Sequence, residues 1–198
     1  KADPSISLTI YTALSLVRPR LAGGLEGRFG GPIVEKLFGD YPDLTYAMDR
    51  EKGALPTNVK VEEFFLATGT LLNNEYAQRH YNSVNYTHAM RRIIAERVNV
   101  LGQMISRRDD RYSLSCNSDL SLDLIPLMRK KVGREGFIVV GELNALLPFM
   151  PNDAEVPADE FDMLLDAGPY DLAGPPAPRV DLISHAIGLR AARLVRDN

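Results

Sequence analysis

The chain has no tryptophan, a single cysteine and three histidines. One cysteine, Cys116, excludes an internal disulfide and favours a reducing compartment. Its neighbours Leu114, Ser115 and Asn117 include no base to activate a thiolate, so Cys116 reads as a small buried residue, not a nucleophile. The scattered histidines share no metal-ligand spacing with it, and no metal is expected. Long apolar runs are missing too. The stretch 137–140 is typical, against the roughly 20 residues a membrane span needs, and no basic–apolar–small signal opens the chain. Nor is there an excess of one charge: 23 Lys and Arg against 26 Asp and Glu give a formal −3. That balance offers nucleic acid or an anionic membrane no broad attraction, while a local basic patch for a small anion stays compatible with it. The expectation is a cytoplasmic protein without nucleic-acid or membrane partners.

What is present is the composition of an ordinary globular protein, 45% hydrophobic and 25% charged. At 198 residues the chain can bury one sizeable core. Residues 6–14 alternate apolar and polar with β-branched side chains, which predicts a strand with one face in the core. The glycine-rich run 21–31 lacks the strand–GxGxxG–helix context of a phosphate cradle and reads as a surface loop. Pro32 then opens a helix with the stripe Ile33, Val34, Leu37 and Phe38, ended by Gly39. Residues 40–58 read as connection and 59–66 as a second strand.

Further on, Met90, Ile93 and Ile94 follow helical spacing, and 98–105 is an almost continuous apolar run, as in a parallel strand covered on both sides. The cluster Arg107-Arg108-Asp109-Asp110-Arg111 reads as a solvated turn. A helix is predicted over 124–132, with Pro126 in its first turn and Gly133 as its stop, then a buried strand over 137–143. The Pro/Gly/Asp-rich tract 148–178 reads as a long functional or packing loop. Ile183, Ile187, Ala191 and Leu194 mark a last amphipathic helix. Strand and helix alternate without repeats, which predicts an α/β fold with a mainly parallel open sheet flanked by helices. In such sheets ligands sit beyond the carboxyl ends of the strands.

Two strand exits therefore matter for chemistry. Asn82-Ser83-Val84-Asn85-Tyr86-Thr87-His88 precedes a helix, whose free N–H groups suit a carboxylate or phosphate; capping by Asn85 or Thr87 is the plainer reading. Asn144 follows a buried strand, and the apolar, proline-stiffened Leu146-Leu147-Pro148-Phe149-Met150-Pro151 could form an acyl-binding wall or simply a strand-to-loop corner.

An ordered set of motifs spans nearly the whole chain: Tyr11-Thr12-Ala13-Leu14-Ser15-Leu16, Leu37-Phe38-Gly39-Asp40-Tyr41-Pro42, Asn85-Tyr86-Thr87-His88, Tyr112-Ser113-Leu114-Ser115-Cys116-Asn117, and Glu142-Leu143-Asn144 followed by Pro148-Phe149-Met150-Pro151. As a set it resembles the N-terminal half of the acetyl-CoA hydrolase/transferase (class I CoA-transferase) family. The resemblance implies a CoA-transferase-like (NagB/RpiA-type) α/β domain occupying residues 1–198. It also implies a glutamyl-CoA thioester mechanism, acting on acyl-CoA and a small carboxylate, with the nucleophilic glutamate in a second domain. The family's Gly-Ile-Gly CoA-binding segment and that glutamate have no counterpart in this sequence; Glu142 and Glu155 do not match it. A further departure lies at Asp171-Leu172-Ala173-Gly174, where the family has a longer connection.

On this resemblance Asn85, Tyr86, Thr87, His88, Asn144 and Pro148 position substrate. CoA enters as a substrate, not a resident cofactor, and no residue of the chain breaks or makes the bond. The partners implied are the protein's own C-terminal domain or a second copy, covering an exposed apolar face near the last helix and the 144–151 loop. Two alternatives stay open: a non-catalytic module binding acyl-CoA or a partner, and a sugar-phosphate isomerase, which would need an acid/base carboxylate within this domain.

Overall fold

The alternating segment near the start forms β1 (Leu8–Thr12), which lies parallel to β2 (Val59–Glu63) with Leu8 opposite Val59 and Thr12 opposite Glu63. The computed structural model from which these elements are taken describes residues 3–39, 41–67, 69–116, 118–166 and 180–194. Asp40 and Asn117 of the motif set, and the connection at Asp171–Gly174, lie outside the described residues.

Between the two strands run α1 (Leu25–Phe38) and α2 (Thr45–Glu51). Both correct the expectation from sequence. The helix predicted to open at Pro32 begins seven residues earlier, with Pro32 inside it, so most of the glycine-rich segment is helical. Gly24, at φ 73°, turns the chain into the first turn. Gly30 leaves room for Leu21, whose Cδ1 lies 2.7 Å from where a Cβ would sit. The expected apolar stripe is at most half-buried: α1 fully buries no residue, Phe38 meets Tyr41 edge-on, and Leu25, Phe29, Ile33 and Leu37, spaced four apart, form an exposed row. Helix α2 was hidden in an assumed connection because it is short, lies between Pro42 and Pro56, and buries an arginine (Arg50) beside Ala47.

The second half begins with α3 (Glu75–Arg79), a short helix also unforeseen, and α4 (Tyr86–Ala95). Then come β3 (Val100–Arg108), β4 (Arg111–Ser113), α5 (Ser121–Gly136), β5 (Ile138–Leu143), β6 (Glu155–Val156), β7 (Met163–Asp166) and α6 (Leu182–Ala192). Five strands make one sheet in the order β6-β4-β3-β5-β7, with β3, β5 and β7 parallel and β4 antiparallel to both its neighbours, β3 and β6. The charged cluster at 107–111 is the exposed turn of the β3–β4 hairpin, as expected. The fold is α/β with a mostly parallel central sheet flanked by helices, and β1 and β2 form a separate parallel pair.

The core joins Ile105, Val139 and Val156 of the sheet to Leu124, Ile125 and Met128 of α5, together with the fully buried Leu114 and Phe137 and with Phe161. Met90, Ile93 and Ile94 of α4 pack against the same cluster. Helix α5 starts three residues before its predicted start, placing Pro126 past the first turn, and Gly133 (φ 75°) interrupts it where a stop was expected. The apolar run in β3 is buried on one face only; Val100 on the other face, with Met163 and Leu165 of β7, remains about half exposed. The tract expected to be a long loop contains β6, only two residues long, and β7, exposed throughout, neither of which leaves a pattern; residues 167–178 of it lie outside the described residues. Cys116 is exposed, not buried. Helix α6 forms at the expected place, capped by Asp181 on the Ser184 N–H at 2.6 Å, yet none of its residues is buried and its apolar side chains face several ways. With Leu146 and Met150 also exposed, apolar surface is present in both places where the sequence called for it. No described helix is long and apolar enough to cross a membrane.

One glycine tests the core. A Cβ on Gly141 would lie 2.7 Å from Ile105 Cδ1, 2.9 Å from Phe161 Cδ1 and 3.0 Å from Leu164 Cδ2. Gly141→Ala is expected to destabilise the protein by about 1–3 kcal/mol through overpacking, read from denaturant unfolding.

Candidate functional site

The segment leaving β5 is held by hydroxyls. Ser106 at the end of β3 donates to the Pro148 carbonyl at 3.2 Å, and Ser115, just past β4, donates to the same oxygen at 2.7 Å. Ser113 of β4 donates to the Met150 carbonyl at 2.7 Å and accepts the Ser115 N–H at 3.0 Å. Ser115 adopts φ 59°, a left-handed conformation unusual for serine and held here by its two bonds. Between the pinned carbonyls, the Phe149 ring lies under Arg108 and Arg111, their guanidinium carbons 4.5 and 5.4 Å from its centroid. Two motifs far apart in sequence, around Ser113 and Pro148, are thus one structural unit.

Asn144 sits at the start of this segment and is 4% exposed. Its N–H donates to the Ile105 carbonyl at 2.9 Å, its Oδ1 accepts the Leu146 N–H at 2.9 Å, and its Nδ2 lies 3.7 Å from Met104 Sδ. The side chain therefore shapes the corner, and Pro148 stands exposed beyond it. Asn85 is the N-cap of α4, accepting the His88 N–H at 3.0 Å, while the Thr87 hydroxyl donates to Asn85 Oδ1 at 2.8 Å. This is the capping arrangement of the plainer reading. Asn85, Tyr86, Thr87 and His88 are all exposed, and the bonds among them stay within their own turn. Each predicted group is thus organised locally, one on α4 and one after β5.

Sequence reading missed the groups that place α4. Glu62 and Glu63, consecutive on β2, are both buried, and neighbouring strand residues project to opposite faces. Glu63 pairs with Arg50 of α2, and its second oxygen accepts the Ser15 N–H at 3.0 Å. Glu62 is bonded by Lys60, by Asn82 Nδ2 at 2.9 Å and by Arg92 of α4 at 3.6 Å. Burial works to raise the Glu62 pKa, but the bonds from Lys60 and Asn82 and the charge of Arg92 outweigh it and hold it below the ordinary carboxylate value. Burial, with Glu62 and Glu96 nearby, pushes the Tyr11 hydroxyl up to about 12. The sequence signal was there, two carboxylates inside a strand pattern, but their burial was not readable.

A cavity of about 290 Å³ opens at the carboxyl ends of β1 and β2, between the segment after Leu14 and that after Glu63. Ser15, Arg18, Arg50 and Glu63 line it together with Leu16 and Leu66. Glu63 is the buried carboxylate that the isomerase alternative called for. One of its oxygens accepts from Arg50 and the other from the Ser15 amide, so its observed bonds are those of a structural partner between α2 and the segment after β1. No cluster of metal-binding side chains occurs among the described residues.

Two outcomes follow. Ser113→Ala removes the donor to Met150 and the acceptor of the Ser115 amide; it should cost about 1–3 kcal/mol in denaturant unfolding and speed proteolysis at 148–151. Because the folded-state pKa of Glu62 is depressed, its contribution to stability is present at neutral pH and lost as pH falls below about 4. A melting-temperature series against pH should fall there, and Glu62→Gln should flatten that fall while lowering the neutral plateau.

No family model matches the chain, and no curated protein matches it. Among solved structures it is similar to a RipA variant, at 16% identity over 96% of this chain with a TM-score of 0.43. It is also similar to RipA from Yersinia pestis, at 15% identity over 95% of this chain and a TM-score of 0.40. A third similarity is to the 4-hydroxybutyrate CoA-transferase of Porphyromonas gingivalis, at 14% identity over 86% of this chain and a TM-score of 0.35. The chain spans 46%, 45% and 37% of those three structures, less than half the length of each.

Proposed function

We propose that this chain is the substrate-positioning half of an acyl-CoA:carboxylate CoA-transferase or acetyl-CoA hydrolase. The observation that carries the reading is the hydroxyl-pinned segment after β5. Its motifs are those on which the family resemblance rests, and they meet in space. A stiff wall of this kind, apolar apart from the Asn144 corner, holds an acyl group in place without taking part in the bond changes. The α4 start supplies a second wall, on which Tyr86 and His88 stand exposed and the capped first turn offers main-chain N–H groups to an oxyanion.

The chemistry itself needs a carboxylate nucleophile that attacks the acyl-CoA carbonyl, forming an acyl-glutamyl anhydride and releasing CoA thiolate; the thiolate then attacks the glutamyl carbonyl, giving the glutamyl thioester and releasing the acyl group as its carboxylate. In this reading that glutamate comes from a segment other than residues 1–198, and the exposed apolar surface of α6 and of the 146–150 segment faces the domain that carries it. A non-catalytic acyl-CoA-binding module is the alternative, in which the same walls bind and nothing turns over.

The test uses the full-length protein with acyl-CoA, reductive trapping and mass spectrometry. A CoA-dependent modification on a glutamate outside residues 1–198 is expected, with Asn144→Ala lowering kcat/KM by roughly tenfold to a hundredfold by loosening the corner. Complete thioester turnover by residues 1–198 alone would contradict the assignment, and binding of acyl-CoA by the full-length protein without turnover would favour the module.

A further inference from the structure

Helix α1 turns its large apolar side chains away from the protein. Its small residues Gly27, Gly30 and Gly31, with Val34 and Phe38, are half-buried, and Gly30 admits Leu21 while Phe38 meets Tyr41. Leu25, Phe29, Ile33 and Leu37 are 68%, 73%, 58% and 38% exposed. A surface helix ordinarily presents its apolar stripe to the core and its polar side to water. Here the glycine side rests on the body and the apolar row faces out.

The charges on that face show what fits it. At about 100° per residue the four apolar side chains sweep an arc of about 120°, and two charged residues fall inside it, Glu26 near one end and Lys36 near the other. Both are exposed and without an ion-pair partner among the described residues; the carboxylate of α1 that has one is Glu35, 3.8 Å from Arg18. The pattern reads the same in both directions. Counting outward from Gly31, Phe29 mirrors Ile33, Leu25 mirrors Leu37, and Glu26 mirrors Lys36. Two such helices laid antiparallel about a twofold axis at that height would set Phe29 against Ile33 of the second copy, Leu25 against Leu37 and Glu26 against Lys36, each contact made twice. A parallel pair would set Glu26 against Glu26 and Lys36 against Lys36.

We propose that α1 is a self-association surface, on which a second copy of this chain seats its own α1 antiparallel, with Phe29 and Ile33 at the centre and a Glu26–Lys36 ion pair at each end. The row runs about 18 Å along the helix axis. A contact confined to it is smaller than the roughly 800 Å² per partner of a stable interface, so the association is weak and reversible. This proposal is independent of the CoA-transferase reading, which gives a different surface, that of α6 and the 146–150 segment, to another domain.

The experiment is sedimentation velocity of the full-length protein over a concentration series. An association that grows with concentration and is removed by Phe29→Asp is expected. Glu26→Lys alone and Lys36→Glu alone each set like charges against one another at both ends of the contact, and each should weaken association about tenfold. Mixed in equal amounts, the two variants regain opposite charges at both ends and should associate with each other as tightly as the unaltered protein does. All three positions are exposed, and far-UV circular dichroism checks that each variant folds. A mixture no stronger than either variant alone, or an association untouched by Phe29→Asp, would overturn the proposal. A mass independent of concentration would also overturn it; if Phe29→Asp then lowers the melting temperature, the row belongs against another part of the same chain.

Discussion

The placement of the helices around β1 and β2 depends on two adjacent carboxylates at the end of one strand. Glu62 and Glu63 point to opposite faces of β2, so each can hold a different helix. Glu63 takes Arg50 of α2, while Glu62 takes Arg92 of α4 and, through Asn82, the chain that leads into α4. Removing Arg50 would leave Glu63 buried without its charge partner, at a cost of about 3–5 kcal/mol, whereas Arg92 is partly exposed and its pair with Glu62 is weaker. Helix α4 then becomes a bridge. Arg92 faces the β1–β2 pair, while Met90, Ile93 and Ile94 pack on the core of the five-stranded sheet.

That bridge connects stability to the proposed function. The first turn of α4 carries Asn85 to His88, and its position follows from Glu62 below it. The other wall is held by a separate device, the serine hydroxyls of β3 and β4 acting on the carbonyls of the 148–150 segment. Arg108 and Arg111 lie over Phe149, and Arg111 is also tied to Glu155. In the proposed function the 146–150 segment supplies an apolar surface and the α4 start a polar one, for an acyl thioester whose reactive carbonyl is neutral until attacked.

Periodicity made β1, β2, β3, β5, α4, α5 and α6 legible, although β1, expected to have one face in the core, is at most half-buried and α4 fully buries only Ala89. The misses share a cause. Helix α1 buries nothing, α2 buries an arginine, α3 is a single turn capped by Asn74, and β6 and β7 are too short or too exposed to repeat a pattern. Of the candidate site, residue types at strand exits were readable, and so was the capping role of Asn85. The serine pins were not, because a hydroxyl-to-carbonyl bond between residues 33 to 42 positions apart leaves no local trace. Buried carboxylates are equally silent: nothing in Val61-Glu62-Glu63 distinguishes an exposed edge from a charged staple.

The exposed apolar rows raise a question of energetics. Leu25, Phe29, Ile33 and Leu37 on α1, and Leu182, Ile183, Ile187 and Leu189 on α6, belong to helices that bury no side chain among the described residues. An isolated helix of 11 to 14 residues is marginal in water, and most helical stability in proteins comes from a packed face. Among the described residues neither helix buries a side chain, so burial there contributes little to holding either of them. The two carboxylates of β2 and the serine pins differ, since their partners lie within the chain. The segments around Asn85 and Pro148 are thus held by bonds internal to the described residues, whereas α1 and α6 have no buried face within them.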